Sequence, residues 1–219
     1  MGAPERRERE RVIREDDIID AAERIFFARG FDGATMDDVA RESDFSKRTL
    51  YKYFSGKNQL TLAIAHRGFR LLNAMLRETV SNLADGPAAD RLAAVGRTYV
   101  EFRKSHFHHF RTIVLYETQD ADFAEDDHVA RKCYAEGEKI ADLLTSTIRD
   151  GVRDGSLRSD LDPEETALVL WAELLGLNLL LDKKAAYLRK YRGVGPEALV
   201  EAMFQHILRS IGTTKGKGT

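Results

Sequence analysis

The segment from Thr35 to Lys57, TMDDVARESDFSKRTLYKYFSGK, constrains the fold more than any other part of this chain. Thr35 is a good helix N-cap, and Asp38 three residues later completes a weak capping box. The sequence SDF at 43–45 interrupts the apolar pattern, and the Asp within it tolerates a left-handed backbone. Ser46 is then suited to cap a second helix. The pattern therefore predicts two short helices joined by a tight turn.

The second of these helices has one apolar side and a polar remainder. Leu50 and Phe54 are four residues apart, so they face the same way, inward, in a helix that begins after Ser46. Side chains that favour phosphates and bases occupy the other positions: Lys47, Arg48, Thr49, Tyr51, Lys52 and Tyr53. A helix that is anchored on one side and carries such groups elsewhere suits the major groove of DNA.

The chain has a small net charge, but its basic residues are concentrated in one stretch that lacks acidic residues. The 219 residues carry a formal net charge of -2 at pH 7, which gives no general attraction to DNA. No acidic residue occurs between Phe45 and Arg77, whereas the following basic residues do: Lys47, Arg48, Lys52, Lys57, Arg67, Arg70 and Arg77. Ser55 is a further candidate N-cap, and Lys57 in the turn after it offers an ammonium beside free backbone N–H groups. The alternative is a small helical hairpin with a solvated basic face.

Residues 13–72 resemble the DNA-binding domain of the tetracycline-repressor (TetR) family of bacterial transcriptional regulators. The matching features are IIDAA at 18–22, Phe26, GF at 30–31, Thr35, VA at 39–40, SKRTLYKYF at 46–54 and Lys57. The match covers only the first third of the chain, and Asp44 stands where the family usually has glycine. The resemblance implies that the helix from Ser46 enters the major groove. It also implies that four side chains hold DNA phosphates: Thr35, Tyr51, Tyr53 and Lys57.

The amino-terminal region is predicted to be a three-helix unit preceded by a charged arm. Apolar residues recur with helical spacing over 18–26, and Gly30 ends that pattern. We place a flexible charged arm at 1–11, a helix-turn-helix domain at 12–58, and a helical effector-binding and dimerisation domain at 59–219. The arm alternates Arg with Glu. It either inserts arginines into an A·T-rich minor groove or is a solvated terminus whose charges cancel.

The rest of the chain is predicted to be helical throughout, so the expected fold class is all-α. Strand signals are almost absent, and Pro87, Pro163 and Pro196 each stand where a helix should begin. The expected helices cover 57–84, 88–104, 107–118, 127–153, 163–188 and 196–211. An acidic segment from Asp120 to Asp127 separates the third of these from the fourth.

The last two expected helices predict a two-fold homodimer. Residues 168–181, LVLWAELLGLNLLL, are apolar on nearly every side, and such a helix must be covered all round. Two helices from each of two chains would form a four-helix bundle that covers it. The expected interface residues are Leu174, Leu177, Leu181, Val200, Met203, Phe204, Ile207, Leu208 and Ile211. The alternative is a pair of buried core helices in a monomer.

The sequence gives only weak indications of a binding site for a small-molecule effector. Ligand sites are usually apolar with a few directed polar groups, and such residues fall on helices expected to surround the core. The candidates are Phe69, Asn73, Tyr99, Phe102, Arg103, Phe110, Tyr134, Trp171, Glu173 and Asn178. Each of them has an ordinary alternative role as a core residue, a structural hydrogen-bonding group or a dimer contact. The residues do not specify the chemistry of the effector.

Composition and motif content argue against several other classes of protein. One cysteine, Cys133, excludes an internal disulfide framework, and no apolar run is long enough for a membrane span. No secretory signal is found, so cytoplasmic residence is the default expectation. Glu-x-x-His occurs once, as EDDH at 125–128, and is not repeated as a di-metal centre requires. With no phosphate-binding glycine loop, nucleophile elbow or HExxH motif either, the sequence predicts no catalytic residues and no cofactor. His106 and His109 share a helical face, but a third ligand would have to come from elsewhere, so no metal site is predicted.

The sequence therefore predicts a cytoplasmic, homodimeric helix-turn-helix regulator that binds an inverted-repeat operator in double-stranded DNA. The resemblance implies that it is a repressor, released when a small molecule binds the carboxy-terminal domain. The alternative is a helical small-molecule-binding or metal-dependent protein without a DNA function.

Overall fold

The computed structural model describes residues 2–118 and 127–213. Within these ranges the chain forms nine helices: α1 Ala3–Gly33, α2 Met36–Glu42, α3 Lys47–Tyr53, α4 Lys57–Asn82, α5 Ala88–Ser105, α6 Phe107–Thr118, α7 His128–Asp154, α8 Pro163–Arg192 and α9 Pro196–Ile211. The β-type pairing found among the described residues is an isolated bridge between Leu157 and Gly212. The prediction of an all-α fold is confirmed.

The two short helices and the tight turn between them form as predicted. Thr35 caps α2, since its hydroxyl accepts the backbone N–H of Asp38 at 3.2 Å and the Asp38 carboxylate accepts the N–H of Thr35. Asp44 adopts the left-handed conformation in the turn, with φ of 56°. Ser46 caps α3 by accepting the N–H of Thr49 at 3.1 Å. These local hydrogen bonds fix where α2 ends and α3 begins.

The helix α1 begins earlier than the sequence analysis places it. Residues 3–11, which we expected to be a flexible arm, are helical and continuous with the rest of α1. Their alternating charges support helix through pairs three or four residues apart, such as Arg11 with Glu8 at 2.7 Å and with Glu15 at 3.1 Å. Gly30, with φ of 74°, interrupts the helical backbone near its carboxy-terminal end.

The remaining boundaries agree with the predicted ones to within a few residues. The largest difference is at α8, which continues to Arg192 rather than 188 and ends at Gly193 in the left-handed conformation. Basic residues in its last turn favour that extension because they interact well with the helix dipole. The acidic segment lies outside the described residues except for Asp127, which caps α7 by accepting the N–H of Val129 at 2.8 Å.

The chain divides into two compact units. The first comprises Met1–Leu71 with His106–Glu136, and the second comprises Leu72–Ser105 with Gly137–Thr219. Both α4 and α7 therefore contribute residues to each unit. The sequence-based division at 58/59 concerns functional domains and stays a prediction.

The first unit is built on a core shared by α1 to α4. Ile18, Leu50, Leu60 and Ile64 are fully buried, and Phe54 is 1% exposed. The inward orientation predicted for Leu50 and Phe54 is thus confirmed. Because these two residues anchor one side of α3, its remaining side chains are turned away from the core.

The second unit is held by close packing of α5, α8 and α9. Phe204 of α9 is 7% exposed and lies directly over Gly96 of α5, where a Cβ atom would come within 2.3 Å of the Phe204 ring. Asp162 caps α8 by accepting the N–H of Glu165 at 2.9 Å, and Pro163 follows at the first helical position. No described helix combines the length and apolarity that crossing a bilayer requires.

Gly96→Ala should destabilise the protein, because the new methyl group overlaps the Phe204 ring. We expect the free energy of unfolding to fall by about 1–3 kcal/mol, measured by urea denaturation. The control is Gly137→Ala on α7, where no atom lies within 4 Å of the added Cβ. That variant should gain about 0.5–1 kcal/mol from helix propensity alone, and equal effects of the two substitutions would contradict this packing.

Candidate nucleic-acid interface

The helix α3 presents a polar, basic surface to solvent. Lys47, Arg48 and Lys52 are exposed, and Tyr51 is 47% exposed. Thr49 and Tyr53 are partly buried beside them. The Ser46 hydroxyl lies 2.8 Å from the Thr49 hydroxyl, so both are engaged at the start of the helix. Of the residues predicted to contact DNA on α3, the three basic side chains and Tyr51 are thus the most accessible.

The basic side chains of α3 differ in how they are paired. Lys47 forms an ion pair with Asp37 of α2 at 2.7 Å, and this hydrogen bond raises the pKa of Lys47. Both side chains are more than half exposed, so the pair contributes little stability and can be exchanged for a phosphate. Arg48 and Lys52 form no hydrogen bond or ion pair with any other described residue. Their charges remain available to a ligand.

Thr35 and Asp38 form a capping network at the start of α2. The Thr35 hydroxyl donates to the Asp38 carboxylate at 2.6 Å, and this bond, with Arg29 at 2.8 Å, lowers the pKa of Asp38. Arg41 lies 3.4 Å from the same carboxylate. The polar atoms of Thr35 are thus already used in capping, so its predicted phosphate contact would have to share them.

Lys57 has a structural role that the sequence analysis missed. Its ammonium donates to the carbonyl oxygens of Phe31 at 2.8 Å and Ala34 at 3.2 Å, and it lies 4.3 Å from the centroid of the Phe31 ring. These contacts tie the first residue of α4 to the last turn of α1 and to the residue that follows it. An ammonium has three N–H groups, so one remains for the phosphate contact that the family resemblance implies.

Three helices of the first unit are linked by a charged network around Glu23 of α1. Arg67 of α4 contacts the Glu23 carboxylate at 3.2 Å, and His109 of α6 contacts it at 3.1 Å. His108 stacks on Phe27 with ring centroids 4.6 Å apart. Among the described residues, no group of three or more His, Cys, Asp or Glu is arranged to hold a metal ion.

The candidate effector residues are divided between the two units of the chain. Phe69, Phe110 and Tyr134 belong to the first unit, and the others belong to the second: Asn73, Tyr99, Phe102, Arg103, Trp171, Glu173 and Asn178. Tyr134, Trp171 and Glu173 are exposed, whereas Arg103 is partly buried and the rest are buried. The buried Asn178 amide donates to the Leu174 carbonyl at 2.7 Å, which is a structural role. Effector binding by this set stays a prediction.

The second unit does contain a small polar cavity. It has a volume of about 270 Å³ and lies between α4 and α5, lined by Met75, Glu78, Thr79, Asn82, Thr98 and Glu101. The hydroxyls of Thr79 and Thr98 are 2.8 Å apart at its edge. None of the predicted effector residues lines it.

The predicted dimer residues lie mostly inside the protomer. Leu174, Leu181, Phe204, Ile207 and Ile211 are each less than 10% exposed. Leu177, Val200, Met203 and Leu208 are partly buried. The face of α8 left exposed carries different apolar residues: Leu168, Val169, Trp171, Ala172, Gly176 and Leu180. An interface formed by α8 would therefore centre on these side chains.

The single cysteine of the chain has an unreactive thiol. Cys133 is fully buried and its thiol donates to the Leu62 carbonyl at 3.1 Å. Burial raises the pKa of this thiol to about 12. It is therefore protonated at neutral pH and is a poor nucleophile.

The sequence of the helix-turn-helix region matches that of a known family of proteins. Residues 18–64, which include α2, the turn and α3, match the family described as bacterial regulatory proteins, tetR family. The amino-terminal part of the chain therefore carries a TetR-family domain. The matched residues carry the capped turn, the buried anchors Leu50 and Phe54, and the exposed basic side chains of α3.

Two curated TetR-family relatives match along most of the chain. The transcriptional activator FasR of Mycolicibacterium smegmatis is 26% identical over 192 residues, which cover 88% of this chain and 80% of that protein. The transcriptional repressor NemR of Escherichia coli is 25% identical over 167 residues, covering 74% and 80% respectively. The relatives are transcriptional regulators, and together with the matched amino-terminal domain they support this chain as a DNA-binding regulator.

The fold of the whole chain recurs in solved structures. The structure of AibR in complex with isovaleryl coenzyme A and operator DNA superposes with a TM-score of 0.63 at 21% identity, covering 88% of this chain and 97% of that one. A protein of unknown function from Rhodococcus sp. RHA1 gives a TM-score of 0.70 at 22% identity, covering 91% and 95%. At this identity the similarity establishes the fold.

Lys57→Met should destabilise the protein because it removes two charge-assisted hydrogen bonds while keeping the length of the side chain. We expect a loss of about 1.5–3 kcal/mol in the free energy of unfolding, measured by urea denaturation. The control is Lys52→Met, at an exposed position without a partner, which should stay within about 0.5 kcal/mol of the parent. Similar stabilities for the two variants would show that the Lys57 contacts are not structural.

Proposed function

We propose that this protein is a homodimeric, cytoplasmic repressor that leaves a palindromic operator when a small molecule binds its second unit. The observation that carries the proposal is the basic, solvent-facing surface of α3, on which Arg48 and Lys52 have no partner within the described protein. Unpaired cations next to partly exposed tyrosines suit phosphate and base contacts in a major groove. A helical binding protein without a DNA function would not need this surface.

Each residue of the interface has a proposed role. Arg48 is the second residue of α3, and residues near the start of a recognition helix contact base edges, so it is assigned to base reading together with Thr49. The phosphate contacts are assigned to the other positions: Thr35, Ser46, Lys47, Tyr51, Lys52, Tyr53 and Lys57. Lys47 exchanges Asp37 for a phosphate in this scheme. Lys57 uses its third N–H group.

The dimer is proposed to form through the exposed face of α8. Val169, Ala172, Gly176 and Leu180 recur at spacings of three and four, so they form one apolar stripe. The small side chains in the middle of the stripe allow two helices to approach closely. A two-fold axis at this stripe pairs α8 with its copy and places α9 of each chain at the edge of the bundle. Two copies of α3 then read an inverted repeat, about one duplex turn apart or a multiple of it.

The effector is proposed to act by binding two arrangements of the dimer unequally. A ligand that binds both equally shifts nothing, however tight its binding. The helix α4 contributes residues to both units, so it is one covalent path through which a change in the second unit can reach the first. AibR, which shares this fold, binds isovaleryl coenzyme A, so a ligand of the coenzyme A thioester class is a reasonable first candidate. The relatives include both a transcriptional activator and a transcriptional repressor. Of these two roles, we propose that this protein represses transcription.

Arg48→Ala should relax the base preference of the protein. We expect a loss of about 1–3 kcal/mol on the preferred operator and little loss where the contacted base pair is changed. Binding would be measured by selection from a random duplex pool, followed by titration of single base-pair variants. The selection itself should return a symmetric sequence for the parent protein, and an asymmetric consensus would contradict the proposed dimeric reading.

The control for Arg48 is Lys52→Ala on the same helix. Because Lys52 is assigned to a phosphate, its loss should weaken binding similarly on every sequence and lower the salt slope by roughly one unit. If Arg48→Ala also weakens all sequences equally, then Arg48 does not read bases.

Val169→Glu should dissociate the dimer. Val169 is 56% exposed in the single chain, so the substitution leaves the protomer intact while two carboxylates enter the apolar interface. We expect the dimer dissociation constant to rise by about two orders of magnitude or more, measured by sedimentation velocity. Val12→Glu makes the same change at another exposed valine and should leave the dimer unchanged. A Val169→Glu protein that sediments like the parent would exclude this face.

A further inference from the structure

The first turns of α1 extend past the core of the first unit. Ile18 is the first buried residue of α1, and residues 4–17 are exposed, apart from Glu15, which is partly buried. Fifteen helical residues, 3–17, therefore precede the core, a length of roughly 22 Å at 1.5 Å per residue. Such an extension buries little apolar surface, so packing alone does not explain why it carries so many arginines.

One face of this extension lines a groove beside the reading helix. Arg7, Arg11 and Arg14 are spaced by four and three residues, so they share a face of α1. With Lys52 and Tyr53 of α3 they line a cavity of about 430 Å³, which we call the α1 groove. Its other lining residues are Glu10, Glu15 and His128.

The charges in the α1 groove are only partly balanced by the protein. Arg11 pairs with Glu8 and Glu15, and Glu10 pairs with Arg6 at 3.5 Å. Arg7, Arg14 and Lys52 form no ion pair or hydrogen bond with another described residue. Three cations thus border one open groove without a carboxylate partner. An anion in the groove would be attracted by all three.

We propose that the α1 groove holds the phosphate backbone of one DNA strand, next to the bases that α3 reads. This proposal rests on the proposed function, and it enlarges the DNA footprint beyond the helix-turn-helix. Lys52 and Tyr53 belong to both surfaces, so a strand held by α3 continues into the groove. Arg7 and Arg14 lie roughly 10 Å apart along the helix axis. Phosphates of one strand follow every 3.4 Å or so along the duplex axis, so the arginines can meet two or three successive phosphates.

The helical form of the extension decides between the phosphate backbone and the minor groove. An α-helix with its side chains is about 10–12 Å wide. The minor groove of B-DNA is only about 6 Å wide. The extension as observed cannot enter it, whereas arginine forks on its surface can contact phosphate oxygens in bidentate fashion. The contacts are therefore independent of base sequence.

The test is the salt dependence of operator binding by a double variant, Arg7→Ala with Arg14→Ala. Loss of two phosphate contacts should make the plot of log Kobs against log salt concentration shallower by about 1.8 units. The matched control, Arg6→Ala with Arg9→Ala, removes two arginines from the same helix outside the groove lining and should keep the parent's slope. Arg7→Lys with Arg14→Lys keeps the charges and should also keep the slope. All substituted residues are exposed, and circular dichroism would verify that the variants are folded.

Four outcomes bear on the proposal. A shallower slope for the double variant alone, with equal loss on operators flanked by A·T-rich and G·C-rich duplex, supports it. Equal slopes for the double variant and its control overturn it, and an anionic partner other than DNA would then account for the groove. A loss confined to A·T-rich flanks also overturns it, because that result indicates minor-groove insertion. If the parent protein itself shifts no selected duplex, the proposed function fails first, and the α1 groove proposal falls with it.

Discussion

The burial of Leu50 and Phe54 determines what every other residue of α3 can do. These two side chains are packed into the core with Ile18, Leu60 and Ile64, so the rotation of the helix about its axis is fixed. A helix of seven residues has little stability of its own, and its position comes from this packing and from the Ser46 cap. Because Leu50 and Phe54 must be buried, the basic side chains on the other sides of α3 face solvent. The surface proposed to bind DNA is thus a consequence of core packing.

The features that could be predicted from the sequence are those set by neighbours along the chain. Thr35, Asp38, Asp44 and Ser46 act within four residues of themselves, so the short helices and their turn follow from residue type and spacing. The same holds for the extended α1, since Arg and Glu at helical spacing support it. The composition of these residues alone is equally typical of a solvated terminus, so the spacing of the charges is what predicts the helix.

Contacts between distant residues could not be predicted in this way. Lys57 donates to carbonyl oxygens more than twenty residues earlier in the chain, and no local pattern marks a lysine for that role. Helix α8 presents a different difficulty, because it is apolar on nearly every side. Periodicity shows that such a helix needs cover, yet the structure is needed to show that Leu174 faces the protomer and Val169 faces solvent. The same holds for the candidate effector residues, because the sequence does not distinguish an aromatic residue that packs in a helical core from one that lines a ligand site.

The chemistry of Cys133 has a practical consequence for measuring motion in this protein. It is the sole cysteine of the chain, it is buried, and its thiol stays protonated at neutral pH. Maleimide or methanethiosulfonate reagents would therefore leave the native protein largely unlabelled. A cysteine introduced at an exposed site on α3 would be the one reactive thiol per chain, so a symmetric assembly would carry a matched pair of spin labels. Pulsed dipolar spectroscopy could then measure the distance between the two α3 helices of such an assembly directly in solution.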